Sequence, residues 1–253
     1  MTKNFLSVSD LVASASDKEI LHGVSFDVSE GETAVLLGMN GAGKSTVASA
    51  IMGDPRFKVS GKVTFFGKDV LKMPVFERAR LGMFLSFQSP VEVPGVTTTE
   101  MIRSVKEEVK GGFVSLDEVR EGITESAKKL GTNIWFSERD LNVGFSGGEK
   151  KKNEILQMLS LRPKLVILDE IDSGLDIDAG ARISKVLANY QKESGCSYLI
   201  VTHNMRVLKH LKPSKAVLID DGRVIAVKDG TLVKQVEKKG YKAVLEEIQK
   251  EVA

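Results

Sequence analysis

Gly38-Met39-Asn40-Gly41-Ala42-Gly43-Lys44-Ser45-Thr46 is the stretch on which the reading of the chain turns. It fits G-x-x-x-x-G-K-[ST], a glycine-rich loop whose backbone N–H groups cradle phosphates. Its flanks agree. Ala34-Val35-Leu36-Leu37, bounded by Gly31 and Gly38, is short and wholly apolar, as a buried parallel strand is. Val47-Ala48-Ser49-Ala50-Ile51-Met52 then reads as a helix that stops at Gly53. Strand, tight turn and helix start point N–H donors and the positive end of a helix dipole at one spot. The glycines let the backbone approach phosphate, Lys44 reaches the terminal phosphates, and Ser45 offers a hydroxyl to Mg²⁺. A turn that binds nothing needs neither the lysine nor the serine.

The chain has 253 residues, enough for one large domain or for a domain with a subdomain. With 42% hydrophobic and 28% charged residues it has the profile of a soluble globular protein. Lys and Arg number 36 against 34 Asp and Glu, so charge gives no case for a nucleic-acid partner. No apolar run approaches the ~18 residues of a membrane span, so direct membrane insertion is not expected. Residues 1–8 lack the apolar core of a signal peptide and read as a strand. Cys196 is the single cysteine, which allows no internal disulfide and fits a reducing, cytoplasmic setting.

Strands are expected at 5–8 and 24–28, with a strand pair within 57–70. Pro74 opens a helix through Arg80, and Met83-Phe84-Leu85-Ser86-Phe87 is a strand ending at Gln88. From about 97 to 160 the pattern is helical, with helices at 99–110 and 115–130 charged on one face. Strand–helix alternation returns after Pro163, with a strand at 165–168, a helix at 179–191 and a strand at 198–201. A hairpin at 216–220 and 224–227 turns through Asp221-Gly222, and a polar helix covers 241–252. The expected fold is α/β, a P-loop NTPase core with an N-terminal β subdomain and an inserted α-helical subdomain. The core of this single domain (1–253) takes about 1–90 and 163–253, the helical subdomain about 91–162.

Two further stretches carry chemistry. Leu165-Val166-Ile167-Leu168-Asp169-Glu170 is an apolar strand ending in two acids. Asp169 can hold Mg²⁺ there, and Glu170 can polarise an attacking water, base catalysis worth ~10²–10⁴-fold. Phe145-Ser146-Gly147-Gly148-Glu149 precedes Lys150-Lys151-Lys152-Asn153-Glu154-Ile155-Leu156. Ser146 and Glu149 have the spacing of a capping box, yet a serine and two glycines at an exposed helix start also make an anion site. Both readings stay open on these residues. The run 150–152 reads as a solvated helix face. Gln88 at one strand end, and His203 after Tyr198-Leu199-Ile200-Val201-Thr202, complete a set in fixed order. His22 and His210 show no ligand spacing, and Trp135 reads as packing within the helical stretch.

In that order the motifs resemble those of the ABC-type ATPases. Residues 38–46 match Walker A, Gln88 the Q-loop, 146–149 the signature and 165–170 Walker B. Ser173-Gly174-Leu175-Asp176 match the D-loop and His203 the switch histidine. The resemblance implies ATP, Mg²⁺ and a head-to-tail dimer, in which Ser146, Gly147 and Gly148 of a second copy close over the bound ATP. It further implies Ser45, Gln88 and Asp169 near the metal, Glu170 as base, His203 on the γ-phosphate and Asp176 linking the two sites. The helix start at Ser146 is then expected to need an anion, which the γ-phosphate supplies.

Within that family, the variants Ile171-Asp172, Glu149 with the lysine run, 84–96 and Glu237-Lys238-Lys239-Gly240-Tyr241 are similar to the SufC-type ATPases of the SUF iron–sulfur cluster assembly machinery. This implies SufB/SufD-type scaffold proteins as partners, docked on 88–110. A cluster generally takes four thiolate-type ligands, so a chain with one cysteine is not expected to be the scaffold. The wider family implies the alternative of a nucleotide-binding subunit of a membrane transporter. No aromatic stands near 15–18 to stack on adenine, so base recognition is expected to rest on aliphatic contacts.

Overall fold

The computed structural model describes residues 5–171, 173–202 and 205–252. From the amino terminus run β1 (Leu6–Ala15), β2 (Lys18–Val28), β3 (Thr33–Leu37), α1 (Lys44–Met52), β4 (Lys58–Phe65), β5 (Lys68–Asp69), α2 (Val75–Arg80) and β6 (Met83–Ser86). β7 (Val93–Thr97), α3 (Thr98–Lys110), α4 (Leu116–Leu130), β8 (Asp140–Leu141) and α5 (Gly147–Leu161) follow. Then come β9 (Leu165–Asp169), α6 (Ile177–Ser194), β10 (Ser197–Val201), β11 (Lys215–Asp220), β12 (Arg223–Asp229), α7 (Thr231–Lys239) and α8 (Tyr241–Val252).

The central sheet has the order β12-β11-β3-β10-β9-β6. Its strands are parallel except β12, which pairs antiparallel with β11 at the edge. Every residue of β3, β9 and β10 is buried, as their unbroken apolar runs require. Alternate side chains of these strands serve two cores. Val35, Leu37, Val166, Leu168, Tyr198 and Ile200 face the helical side, with Ile102 of α3, Ile123 of α4, Ile155 of α5 and Leu187 of α6. Ala34, Leu36, Leu165, Ile167, Leu199 and Val201 face α1 and the antiparallel sheet β2-β1-β4-β5.

β1 and β2 run well past 5–8 and 24–28, because backbone pairing of β1 with β2 on one side and β4 on the other carries the strands through polar residues. α7 occupies 231–239, where the sequence reading placed no element. Asp229 opens it by accepting the Thr231 N–H at 2.8 Å, and only Leu232 and Val233 are buried on it, too few to show a period. Among the described residues no helix is long and apolar enough to cross a membrane.

In a parallel sheet the ligand crevice lies outside the carboxyl ends of the strands. Here the ends of β3, β9 and β6 deliver residues 38–43, Asp169 with Glu170, and Gln88 to the same edge. Arg78 fixes α1 from below, its guanidinium donating to the carbonyls of Ala50 and Ile51 at the helix end, 3.3 and 2.7 Å away.

Candidate active site

The loop between β3 and α1 is shaped by what surrounds it. A Cβ on Gly38 would stand 2.5 Å from the Ile219 carbonyl oxygen, so only glycine fits. Gly43 has φ 100°, in the region glycine alone enters freely, and starts α1 with no side-chain cap among the described residues. The first N–H groups of α1 are therefore left for something else to satisfy. The turn between β11 and β12 buttresses the loop, with Gly222 N–H donating to the Ala42 carbonyl at 3.0 Å. Lys44 is only 4% exposed, and its Nζ donates to the carbonyls of Gly38 and Met39 at 3.0 and 2.8 Å. Burial pushes its pKa down, while the charges of Glu170 and Asp169 pull it back up.

Across the cleft, Ser45 Oγ donates to Asp169 Oδ1 at 3.0 Å. Burial pushes the Asp169 carboxyl up, the Ser45 bond pulls it down, and the Glu170 charge adds to the rise. Glu170 has φ 47°, a conformation costing a non-glycine residue about 1–3 kcal/mol. It is held there by its N–H bond to the Val201 carbonyl at 2.9 Å and by Gln88 Nε2, which donates to Glu170 Oε2 at 2.8 Å. The cleft measures about 350 Å³ and is lined by Ile20, Gly41, Lys44, Ser45, Gln88 and Glu170, among others. Asn40, Gly43 and Thr46 also line it. Ser45 on that lining and the Asp169 carboxylate bonded to it are hard oxygen donors of the kind that suits Mg²⁺. His203 and Asp172 lie outside the described residues.

Ser146, Gly147 and Gly148 do not line this cleft. Ser146 is the N-cap of α5, and both halves of the capping box are formed. Its Oγ accepts the Glu149 N–H at 3.3 Å, while Glu149 Oε2 accepts the Ser146 N–H and hydroxyl, each at 2.8 Å. Those bonds hold the Glu149 carboxyl below its ordinary range. In the single chain the capping box is therefore formed, and the Glu149 carboxylate stands at this helix start. Gly148 lies against the following turn, where a Cβ would be 3.4 Å from the Gly174 carbonyl oxygen. Asp176 caps α6, accepting the Ala179 N–H at 2.7 Å.

Two other expectations change. Lys151 is not solvated. It is 2% exposed, its Nζ donates to the Phe87 carbonyl, and it lies 3.7 Å from Glu154 Oε2. The available signal was the spacing 151, 155, 158, which puts Lys151 on the face of Ile155 and Met158. Trp135 is 56% exposed rather than packed, with the Arg139 guanidinium 4.7 Å over its ring. Cys196 is buried, and burial pushes its thiol up. Among the described residues no group of three or more His, Cys, Asp or Glu is placed to hold a metal ion.

A family model described as ABC transporter matches residues 21–173. A probable ABC transporter ATP-binding protein of Streptococcus pyogenes serotype M3 is 42% identical over 249 residues, 97% of this chain and 96% of that one. Iron-sulfur cluster assembly protein SufC of Plasmodium falciparum is 40% identical over 253 residues, 97% of this chain and 73% of that one. Among solved structures, a dimeric post-hydrolysis state of an ATP-binding cassette bound to ADP and phosphate superposes with a TM-score of 0.77. It is 21% identical, and the match covers 88% of this chain and 98% of that one, a likeness of fold.

Proposed function

The chain belongs to the ABC transporter family and is an ATPase, and from that premise we propose that it powers a cytoplasmic iron–sulfur cluster assembly complex through ATP-driven head-to-tail dimerisation. The observation that carries the chemistry is the meeting of Lys44, Ser45, Asp169, Gln88 and Glu170 at one edge of the sheet. The assembly role is supported by the variants around Gln88 and after Glu170, and by the likeness to a relative named for that process.

Residues 38–46 take the phosphates of ATP, with Lys44 turning from the Gly38 and Met39 carbonyls to the terminal phosphates. Ser45, Asp169 and Gln88 would hold Mg²⁺, which neutralises charge on the β- and γ-phosphates. Glu170 accepts a proton from water as the water oxygen attacks the γ-phosphorus and the bond to the bridging oxygen breaks, leaving ADP and phosphate. Gln88 orients Glu170 and the water, and His203 contacts the γ-phosphate. Ser146, Gly147 and Gly148 of a second copy close the site, and Asp176 links it to the other. ATP favours the closed dimer and hydrolysis releases it, a ligand-driven population shift.

SufB/SufD-type scaffold proteins are the proposed partners, seated on 88–110. Phe87, Val91, Val93 and Val96 at and beside that stretch are exposed and apolar, which supports a docking face. A transporter subunit is the second reading, favoured by the naming of the streptococcal relative. The two are separated by purifying the tagged chain from its native cells. Soluble partners carrying iron–sulfur clusters are expected, and a permease with transmembrane helices in their place overturns the assembly role.

A further inference from the structure

α5 grips the segment around Gln88 on both sides. Before Gln88, Glu154 Oε2 accepts the Ser86 hydroxyl at 2.7 Å and Glu154 Oε1 accepts the Phe87 N–H at 2.8 Å. Lys151 takes the carbonyl of the same Phe87, so both backbone groups of the residue preceding Gln88 belong to α5. After Gln88, Lys150 pairs with Glu92 at 2.7 Å. Asn153 Nδ2 donates to Thr98 Oγ1 at 3.1 Å and to Asn142 Oδ1 at 3.0 Å. Asn142 Nδ2 in turn donates to the Val91 carbonyl at 2.9 Å.

Ser86, Thr98, Asn142, Asn153 and Glu154 are all buried, and every buried side-chain polar atom among the described residues has a partner. Such a network is a poor way to gain stability. Burial pushes the Glu154 carboxyl up against the pull of Lys151, Ser86 and Phe87, and apolar residues of similar volume often stabilise as well. What a satisfied polar network gives is one arrangement of the groups it joins.

We propose that Glu154 and Asn153 are positioning residues of the ATPase site, fixing 86–98 to α5 so that Gln88 stays aimed at Glu170. This rests on the reading of Gln88 and Glu170 as the pair that handles water. Because Ser146 heads the same helix, Gln88 and the signature end move as one body. A second copy engaging Ser146 and a partner seated on 88–110 therefore both act on the aim of Gln88.

The test is a mutant cycle on the full chain, reading ATP turnover and, separately, ATP binding by titration. Glu154→Gln keeps the size of the side chain and removes its charge. Its kcat is expected to fall ~10–100-fold, the effect of a small misplacement, with ATP affinity unchanged within about threefold. Asn153→Ala, on the far side of the segment and away from the Lys151 charge, gives the same split if Glu154→Gln does not fold. Added to Gln88→Ala, either change should lower turnover no further, since the group being aimed is already gone. Independent, multiplying losses overturn the positioning role while leaving Gln88 in the mechanism. Full turnover in Gln88→Ala alone removes the reading of Gln88, and the proposal with it.

Discussion

Two helices begin at the two halves of the proposed nucleotide site, and they begin in opposite ways. α1 enters through Gly43, with no side chain on its first N–H groups among the described residues and the buried Lys44 beside them. α5 enters through Ser146, whose hydroxyl oxygen accepts the Glu149 N–H while the Glu149 carboxylate accepts the Ser146 N–H. Open N–H groups at a helix start favour an anion. A start that carries its own ionised carboxylate gains little from a second anion and repels it at close range. On the proposed reading the α1 half is thus prepared for phosphate in a single chain. The α5 half, on the same reading, must exchange its Ser146–Glu149 contacts for contacts to phosphate, so closure by a second copy is expected to be the more easily reversed step.

The largest expected effect sharpens the α1 side. Glu170→Gln should lower phosphate release by ~10²–10⁴-fold, the range of base catalysis, while ATP still binds. A normal rate removes Glu170 as the base. The next effect tests the division between the halves. Lys44→Met should weaken ATP binding to the isolated chain by roughly 10–100-fold, the loss of charge-assisted hydrogen bonds. Ser146→Ala should leave that affinity unchanged and reduce only ATP-driven dimerisation, followed by sedimentation. An equal loss of single-chain affinity in both variants breaks the comparison.

The same contrast explains what was legible in the sequence. Residues 38–46 could be read because their demands are local, namely glycines where a Cβ collides or φ turns positive, and a lysine at the helix start. β3, β9 and β10 could be read because strands buried on both faces leave unbroken apolar runs. On α5 the solvated reading of 150–152 fails at Lys151, whose burial, like that of Asn153 and Glu154, is decided by partners as far off in the chain as Phe87 and Thr98. A charge run looks solvated until such partners are known. At Ser146 the sequence allowed both a capping box and an anion site, and the position of the Glu149 carboxylate shows that the capping box is formed in the single chain.

Glu149→Gln gives the smallest effect and the finest test of the contrast, because it should move two measurements in opposite directions. Glutamine keeps an oxygen that can accept the Ser146 N–H, so the cap survives while the charge at the helix start is lost. The wild-type carboxyl titrates below its ordinary 4.5 in the folded chain because it accepts the Ser146 hydrogen bonds. With a depressed folded pKa, the charge adds to stability above 4.5, and the addition disappears as pH falls through the lower folded value. The variant should therefore melt slightly earlier than wild type at pH 7, with the gap closing in acid. Its ATP-driven dimer should nevertheless form about two- to fivefold more readily at pH 7, since the γ-phosphate no longer meets a carboxylate at Ser146. A variant that melts earlier and also dimerises less readily would mean that Glu149 assists closure, and the two helix starts would then work alike.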